Sequence, residues 1–346
     1  MSPYGAPQVP AVAALNTNEN PYSPSPALQK AITDAVAKVA VDLNRYPDRD
    51  ATILRTKLAT YINEGNGTSF TLDNIWAANG SNEIIQSIFL AFAQGAVLGF
   101  TPSYSMHPLI AKTTGAQWID GKRNADFSLN TTDAVSEILK SKPTLTFITT
   151  PNNPTGGAVT LAEIQKLADA AKEVGGLLVV DEAYAEFSQE TSAVTLVANN
   201  PHVIVIRTMS KAFAFAGARL GYLVSDVAVK DAMMIVRLPY HLSALTQAAA
   251  QVAIDHRAEL LSGVSTLIKA RGEVVQALHD MGLTTITSSA NFVLFTGFKQ
   301  DAPQLWAALL EKGVLIRDVG LSGYLRVTIG NEAENKLFVS ALKELI

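Results

Sequence analysis

Short apolar runs alternate with segments of helical periodicity between residues 75 and 236. The runs are apolar at most positions, which is typical of parallel strands covered by helices on both faces. We predict strands at residues 75–78, 96–100, 144–149, 177–181, 203–207 and 221–224. Helical periodicity covers residues 27–43, 50–65, 81–93, 161–173 and 227–236. This alternation predicts an α/β fold of three layers (α/β/α), with a mostly parallel sheet between two layers of helices.

The pattern changes after Pro239. Residues 243–281 are helix-prone almost throughout, with a predicted break at Ser262-Gly263. Short apolar runs at 291–295, 313–317 and 324–329 precede a closing helix from about Glu332. Helices followed by a few strands indicate a smaller α+β domain. We therefore predict an extended N-terminal arm (residues 1–26), a large domain (27–250) and a small C-terminal domain (251–346).

Composition narrows the class of protein. The 346 residues include no cysteine, which excludes disulfides, thiolate metal ligands and a cysteine nucleophile. The formal net charge of −4 gives no overall basic surface for nucleic acid. No apolar stretch approaches the roughly 18 residues of a membrane-spanning helix, and residues 1–29 lack the basic residues of a signal peptide, so we expect a cytoplasmic protein. Charged residues make up only 17% of the chain, which favours burial of surface against another subunit.

Common catalytic signatures are absent from the sequence. It contains no phosphate-binding GxxxxGK[ST] loop, no GxSxG nucleophile turn and no HExxH zinc motif. Its five histidines are scattered without the spacing of metal ligands. The sequence therefore predicts no metal site.

Polar segments follow three of the predicted strands. Residues 151–156 (Pro-Asn-Asn-Pro-Thr-Gly), 181–184 (Asp-Glu-Ala-Tyr) and 208–211 (Thr-Met-Ser-Lys) come at strand ends, and Arg219 lies eight residues after Lys211. Ligands of open α/β sheets bind outside the carboxyl ends of the strands. We therefore predict a binding site built from these segments.

The residue types in these segments suit a phosphorylated aromatic aldehyde. The amine of Lys211 can form a Schiff base with an aldehyde. Hydroxyl groups, a guanidinium group and the amides that open a helix are phosphate donors, here Thr208, Ser210, Arg219 and the Gly80-Ser81-Asn82 turn. Asp181 can hold a ring nitrogen protonated, and Tyr184 and Asn153 can bond a ring oxygen. Each residue alone also has an ordinary structural explanation, but their combined order after successive strands favours a site.

The chain resembles the fold-type I aminotransferases that use pyridoxal phosphate. The matching cofactor segments are PNNPTG (151–156), DEAYAEF (181–187) and RTMSKAFAFAGARLGY (207–222). Further matches are ANGSNE (78–83), PSY (102–104) and LRVTIG (325–330). The segments LNTNENPY (15–22), RYPD (45–48) and YGAPQ (4–8) make the chain most similar to the histidinol-phosphate branch of that family.

The resemblance implies a homodimer with shared active sites and assigns roles around the cofactor. It implies that Lys211 carries the cofactor, that Asp181 pairs with the ring nitrogen and that Tyr184 contacts the ring oxygen. These three are the implied catalytic residues. The other implied cofactor contacts are Ser81, Asn82, Tyr104, Asn153, Thr208, Ser210, Arg219 and, from the neighbouring subunit, Tyr46.

The resemblance also implies substrate contacts. Arg326 matches the arginine that binds the substrate's acidic group, and Arg317 is its expected helper. Tyr4 from the neighbouring subunit and Tyr240 correspond to residues that line the imidazole pocket, and Asn16 completes the expected substrate contacts.

The implied reaction is transamination of L-histidinol phosphate with 2-oxoglutarate, which gives imidazole acetol phosphate and L-glutamate in histidine biosynthesis. An aromatic aminotransferase acting on phenylalanine or tyrosine is the main alternative, because the tyrosines suit either ring. A phosphothreonine decarboxylase on the same scaffold is a second alternative. A non-enzymatic regulator that binds pyridoxal phosphate is a third, but the chain shows neither an added DNA-binding module nor a basic patch.

Overall fold

The structure is a computed structural model that describes residues 5–346. Its strands are β1 (Ala13–Ala14), β2 (Ile75–Ala78), β3 (Ala96–Thr101), β4 (Gln117–Lys122), β5 (Leu145–Thr149), β6 (Leu177–Asp181), β7 (Val203–Thr208), β8 (Gly221–Val224), β9 (Thr284–Thr285), β10 (Phe292–Thr296), β11 (Val314–Leu315) and β12 (Leu325–Thr328). The six strands predicted for the large domain are all present, each within one residue of its predicted limits.

The α-helices surround these strands. They are α1 (Pro26–Ala40), α2 (Thr52–Asn66), α3 (Ser81–Phe92), α4 (Met106–Thr114), α5 (Thr131–Ser141), α6 (Leu161–Glu173), α7 (Val194–Val197), α8 (Val227–Val236), α9 (Ala244–Asp255), α10 (Arg257–Asp280), α11 (Ala302–Glu311) and α12 (Glu332–Leu345). Local sequence sets several helix starts. Ser25 caps α1 just before Pro26, and the Thr160–Glu163 pair forms a capping box at α6.

Seven strands form the large sheet in the order β2-β8-β7-β6-β5-β3-β4. Neighbouring strands from β7 to β4 are parallel, and only β8 runs opposite to the others. This confirms the predicted mostly parallel sheet. The ends of β3, β5, β6 and β7 therefore meet at one edge, where the polar segments follow.

The strand β4 was not predicted. It lies at the edge of the sheet, and four of its six residues are polar or glycine, so it lacks the continuous apolar run of a central strand. Only Gly121 in it is buried.

The C-terminal part forms a separate antiparallel sheet in the order β12-β10-β9. The N-terminal arm reaches this part of the molecule, because β1 pairs in parallel with β11. The arm is thereby held across the C-terminal part before the chain enters α1. The division at residue 250 stays a prediction, and that residue lies inside α9.

The predicted helix break at Ser262-Gly263 is wrong. The break comes at His256, between α9 and α10, and Gly263 lies inside α10. A Cβ atom at Gly263 would lie 3.3 Å from the ring of Tyr22, which packs there from the arm. Close approach of the arm, and not a break in the helix, therefore explains this glycine.

The core consists mainly of the central strands. Val179, Val180, Val205 and Ile206 are fully buried, as expected for strands with helices on both faces. Among residues 5–346, no helix combines the length and the apolar character needed to cross a membrane.

Candidate active site

Polar side chains surround a cavity of about 310 Å³ at the carboxyl edge of the large sheet, a size typical of small-molecule sites. The sequence-predicted residues that line it are Ser81, Asn82, Tyr104, Asn153, Asp181, Tyr184, Thr208, Ser210, Lys211, Arg219 and Arg326. Thr17, Asn18 and Glu19 of the arm also line the cavity, although the sequence analysis gave them no role.

Asp181 lies at the end of β6 and is 2% exposed. One of its carboxylate oxygens accepts the backbone N–H of Ala183 at 3.2 Å, and the other lies 3.1 Å from Nε2 of His107. His107 is also buried, and its ring meets the ring of Tyr104 edge-on at 5.5 Å. This partner was not predicted, because His107 lies 74 positions from Asp181 and no local pattern links the two. A carboxylate fixed in this way can present its charge to a cationic ring.

Tyr184 is tied to the arm. Nδ2 of Asn18 donates to its hydroxyl group at 2.9 Å. Asn18 in turn bonds the hydroxyl of Thr328 on β12, through its backbone N–H at 3.0 Å and its side-chain oxygen at 2.9 Å. Asn18 has a φ of 57°, a left-handed conformation that asparagine adopts more readily than most residues. The arm thus links the small sheet to the cavity.

One end of the cavity is built for an anion. Ser81 and Asn82 open α3, where the free backbone amides and the helix dipole attract negative charge. The hydroxyl of Thr208 donates to Oγ of Ser210 at 3.0 Å, and Nη1 of Arg219 lies 3.4 Å from that same oxygen. Hydroxyls, amides and a guanidinium group therefore converge on one point.

Two glycines allow this close packing. Gly80 has a φ of 85°, and a Cβ atom there would lie 2.5 Å from Nη2 of Arg219. A Cβ atom on Gly221 would lie 2.5 Å from the backbone nitrogen of Ser81. Larger residues at either position would displace the groups that form the anion-binding end.

Lys211 lines the same cavity as Asp181 and the anion-binding groups. Its Nζ donates to the backbone carbonyl of Thr17 at 2.9 Å. Burial, and then the positive charge of Arg326, lower the pKa of Lys211 to about 8, while the negative charge of Glu19 opposes this and the positive charge of Arg219 adds to it. About a tenth of this amine is therefore neutral, and so nucleophilic, at pH 7, far more than for an ordinary lysine.

The reaction of Lys211 with an aldehyde is expected to depend on pH with a midpoint near 8. Below this pH the amine is protonated and has no free electron pair, so the rate rises as the pH increases through 8 and then levels off. The rate is measured between pH 6 and 10 with pyridine-4-carboxaldehyde, followed by borohydride trapping and mass spectrometry of the labelled peptide.

Two variants test the origin of that midpoint. Lys211→Ala removes the labelled peptide, and Arg326→Gln, which removes a like charge, moves the midpoint upward. A midpoint near the ordinary lysine value of 10.5 in the unaltered protein would contradict the prediction.

Arg326 lies on β12, lines the cavity and is 6% exposed. Nη1 donates to Oδ1 of Asn153 at 2.5 Å, and Nη2 donates to the backbone carbonyl of Asn16 at 2.7 Å. The guanidinium group lies 5.1 Å from the ring centre of Phe292. Asn16 itself does not line the cavity, and it contacts Arg326 through its main chain.

Three further predicted residues, Arg317, Tyr46 and Tyr240, do not line this cavity. Arg317 pairs through its backbone with Arg326, and its Nη1 donates to the carbonyl of Gly5 at 2.9 Å. Tyr46 is 79% exposed, and its ring stacks on that of Tyr240 at 4.3 Å. Tyr4 lies outside the described residues.

Comparison with known proteins identifies the family. A sequence model described as aminotransferase class I and II matches residues 10–342. The chain belongs to this family. It is an aminotransferase that uses pyridoxal phosphate, as its sequence motifs predicted.

Two named relatives of this aminotransferase cover almost its whole length. The histidinol-phosphate aminotransferase of Mycobacterium sp. (strain JLS) is 50% identical over 348 aligned positions, which cover 100% of this chain and 92% of the relative. That of Mycolicibacterium smegmatis is 51% identical over 347 positions, covering 99% and 91%.

A solved structure shows the same fold. The histidinol-phosphate aminotransferase of Sinorhizobium meliloti, in complex with pyridoxal-5'-phosphate, superposes with a TM-score of 0.84 at 24% identity. The match covers 97% of this aminotransferase and 91% of that chain. At this level of identity the likeness is one of fold.

Proposed function

We propose that this aminotransferase moves the amino group of L-histidinol phosphate to 2-oxoglutarate, forming imidazole acetol phosphate and L-glutamate in histidine biosynthesis. The observation that carries the proposal is 50% identity with a histidinol-phosphate aminotransferase over the whole chain. The cavity supports it, since Lys211, Asp181 and Arg326 all line one space. We also assign the enzyme to the cytoplasm, where soluble metabolites are interconverted.

The donors of the cavity fit pyridoxal phosphate, because hydroxyls, amides and a guanidinium group suit a phosphate. Gly80 and Gly221 let these groups come close together, since a Cβ atom at either position would collide with them. When bound, the cofactor supplies an aldehyde for the amino group and a cationic ring that withdraws electrons from the substrate's α-carbon. Its phosphate would be held by Ser81, Asn82, Thr208, Ser210 and Arg219. Around its ring we assign Asp181 to the nitrogen, Tyr184 and Asn153 to the oxygen, and Tyr104 to the face.

Lys211 has two tasks in this proposal. Its neutral amine, favoured by the lowered pKa of about 8, bonds the cofactor between catalytic cycles. When Lys211 is not bonded to the cofactor, Nζ would take the proton from the substrate's α-carbon as a general base and, as a general acid, deliver it to the cofactor's aldehyde carbon. The carbonyl of Thr17, 2.9 Å from Nζ, orients the amine for this transfer.

We assign Arg326 to the substrate's acidic group. Arg317, whose backbone pairs with that of Arg326, is assigned as its helper. Guanidinium groups bind both phosphate and carboxylate in a bidentate manner, so one site can accept histidinol phosphate and then 2-oxoglutarate. Tyr240, Asn16 and Tyr4 are assigned to the surroundings of the imidazole ring. The contacts of Asn153 and Asn16 hold Arg326 in its orientation.

We propose further that the enzyme is a homodimer in which Tyr46 completes the active site of the second subunit. Tyr46 does not line the cavity of its own chain, and its ring is exposed together with several apolar neighbours. These exposed side chains are Val41 and Leu43, which are close to Tyr46 in the chain, and Ile235, Leu238 and Tyr240, of which Tyr240 stacks on Tyr46. Exposed apolar side chains are typical of a protein interface, and a second copy of this chain is the occupant that we propose.

Mixing two inactive variants is expected to restore activity. If Lys211→Ala and Tyr46→Ala dimers exchange subunits at random, half of the dimers are mixed and each contains one intact site. The expected activity is about one quarter of the unaltered enzyme, measured by steady-state transamination after mild denaturation and refolding of the mixture.

The parents, refolded separately and combined afterwards, provide the control. Their activity is the simple average of the two variants. If the refolded mixture also gives only that average, Tyr46 does not act in the second subunit.

The substrate proposal is tested by a single-turnover panel. Enzyme loaded with pyridoxal phosphate is mixed with histidinol phosphate, phenylalanine, tyrosine, glutamate or phosphothreonine, and conversion of the cofactor is followed by absorbance. We expect histidinol phosphate to have the highest specificity constant among the donors other than glutamate. Comparable constants for phenylalanine would favour the aromatic aminotransferase, and release of carbon dioxide from phosphothreonine would favour the decarboxylase.

A further inference from the structure

Arg207, on β7, forms a buried fork with three acceptors. Nε lies 2.9 Å from Oε2 of Glu182, Nη1 lies 3.0 Å from Oε1 of Glu186, and Nη2 lies 2.9 Å from Oγ of Ser192. Arg207 is 5% exposed, the side chain of Glu182 is even less exposed, and that of Glu186 is 9% exposed. None of these residues lines the active-site cavity, and the reaction described above does not use them.

The partners of Arg207 are themselves held in place. Glu182 accepts the backbone N–H of Ala193 and the hydroxyl of Ser192, both at 2.7 Å. Glu186 accepts the hydroxyl of Tyr61 at 3.2 Å. Burial alone would lower the pKa of Arg207, but the two carboxylates outweigh it and raise that pKa above its usual range. The guanidinium group is therefore a permanent charge at the centre of the cluster.

The position of the cluster in the chain connects it to the active site. Arg207 immediately precedes Thr208, and Glu182 immediately follows Asp181. Glu186 lies in the short 3₁₀ turn that begins directly after Tyr184. The fork therefore joins two segments of the active site. One runs from Asp181 to Tyr184 and carries the ring contacts, and the other runs from Thr208 through Ser210 to Lys211.

We propose that Arg207 is a positioning residue, whose fork to Glu182, Glu186 and Ser192 holds the ring-binding and phosphate-binding segments in fixed relative positions beyond the last paired residues of β6 and β7, Asp181 and Ile206. The inference rests on the cofactor contacts assigned under the proposed function, but not on the identity of the substrate. A rigid cofactor must meet Asp181 at one end and Thr208 at the other, so a small relative shift of the two segments weakens both contacts.

The shape of the arginine side chain is essential to this role. Its planar guanidinium group directs three nitrogens at three acceptors at once, whereas the single nitrogen of lysine cannot reproduce that fork. A buried ion pair adds little to stability when compared with an apolar replacement, so stability alone does not explain the cluster. Arg207→Lys keeps the charge and removes the geometry, which makes it the informative variant.

Arg55 offers a matched control. It is 3% exposed, and its three nitrogens donate to the backbone carbonyls of Ile75, Asp50 and Leu72, none of which lines the cavity. Arg207→Lys and Arg55→Lys are compared in the full-length protein. The readouts are the melting temperature without cofactor, the dissociation constant of pyridoxal phosphate, the pH midpoint of its bound absorbance, and kcat and KM.

For Arg207→Lys we expect cofactor affinity and kcat each to fall at least about tenfold, with KM changed less than about twofold and a shifted absorbance midpoint. For Arg55→Lys we expect a loss of melting temperature similar to that of Arg207→Lys, but a cofactor affinity within about twofold of the unaltered enzyme. Equal losses of affinity in the two variants, or unchanged affinity in Arg207→Lys, would overturn the proposal.

Milder variants decide the matter if Arg207→Lys does not fold. Ser192→Ala and Glu186→Gln each weaken one arm of the fork, and both are expected to reduce cofactor affinity about threefold. Unaltered affinity in both would overturn the proposal. Because cofactor binding is measured without any amino donor, a failure of histidinol phosphate as the substrate leaves this result unaffected.

Discussion

Replacing Lys211 with alanine is expected to lower the rate of transamination by at least about 10⁴-fold, because both the bond to the cofactor and the proton transfer at the α-carbon are lost. No other lysine lines the cavity in the described part of the chain, so no neighbouring amine can substitute. The rate is measured as a single turnover with histidinol phosphate, and borohydride reduction followed by mass spectrometry reports whether the cofactor is still attached.

Two further variants control this experiment. Lys211→Arg keeps a positive charge but not a nucleophilic amine, so we expect it to be as inactive as the alanine variant. Lys299→Ala alters an exposed lysine in the small domain and is expected to keep full activity. Single-turnover rates for Lys211→Ala within tenfold of the unaltered enzyme would refute the assignment.

The second large effect is expected for Asp181→Asn, with kcat about 10²–10³-fold lower. Asparagine has nearly the same shape but carries no charge, so it cannot stabilise a protonated ring nitrogen in a buried site, and unpairing a buried charge costs about 3–5 kcal/mol. kcat is measured at saturating cofactor, and the dissociation constant of pyridoxal phosphate is measured separately, so that a loss of activity can be told apart from a loss of cofactor binding. Asp120→Asn, on the exposed edge strand β4, is the matched control and is expected to be unchanged.

His107→Phe separates the charge of Asp181 from its orientation. Phenylalanine keeps the packing against Phe147, whose ring lies 4.9 Å away, but loses the 3.1 Å contact with Asp181. We expect an intermediate loss of about tenfold in kcat, the value of one hydrogen bond to a charged group. A loss as large as that in Asp181→Asn would show that the histidine does more than orient the carboxylate, and an unchanged kcat would show that it does not orient it.

Much of the large domain could be read from the sequence because its central strands are apolar on both faces. Such strands occur where helices cover both sides of a parallel sheet, and the six predicted strands follow this rule. The residues after them were located for the same reason, since the carboxyl ends of parallel strands meet at one edge. Lys211, Asp181 and Tyr184 are all local to such ends.

Elements without a strong pattern were missed or misplaced. The edge strand β4 is partly polar, and α4, α5 and α11 are short helices of 9, 11 and 10 residues. Gly263 suggested a break in a helix, but the structure instead places the ring of Tyr22 from the arm close to this glycine. The reason for that glycine is a contact between residues more than two hundred positions apart, which no local pattern records.

By itself, the sequence determined the α/β class and placed Lys211 and the segments that surround it at the ends of predicted strands, because each depends on short-range patterns of apolar and polar residues. The tertiary structure decided which residues from distant parts of the chain contact these segments. The arm pairs with β11 through only two residues, yet this brings the carbonyl of Thr17 to Lys211 and Asn18 to Tyr184. Arg207 and His107 gain their contacts with Glu182, Glu186 and Asp181 in the same way, because hydrogen bonds and charges act over a few ångströms in space, whatever the separation along the chain.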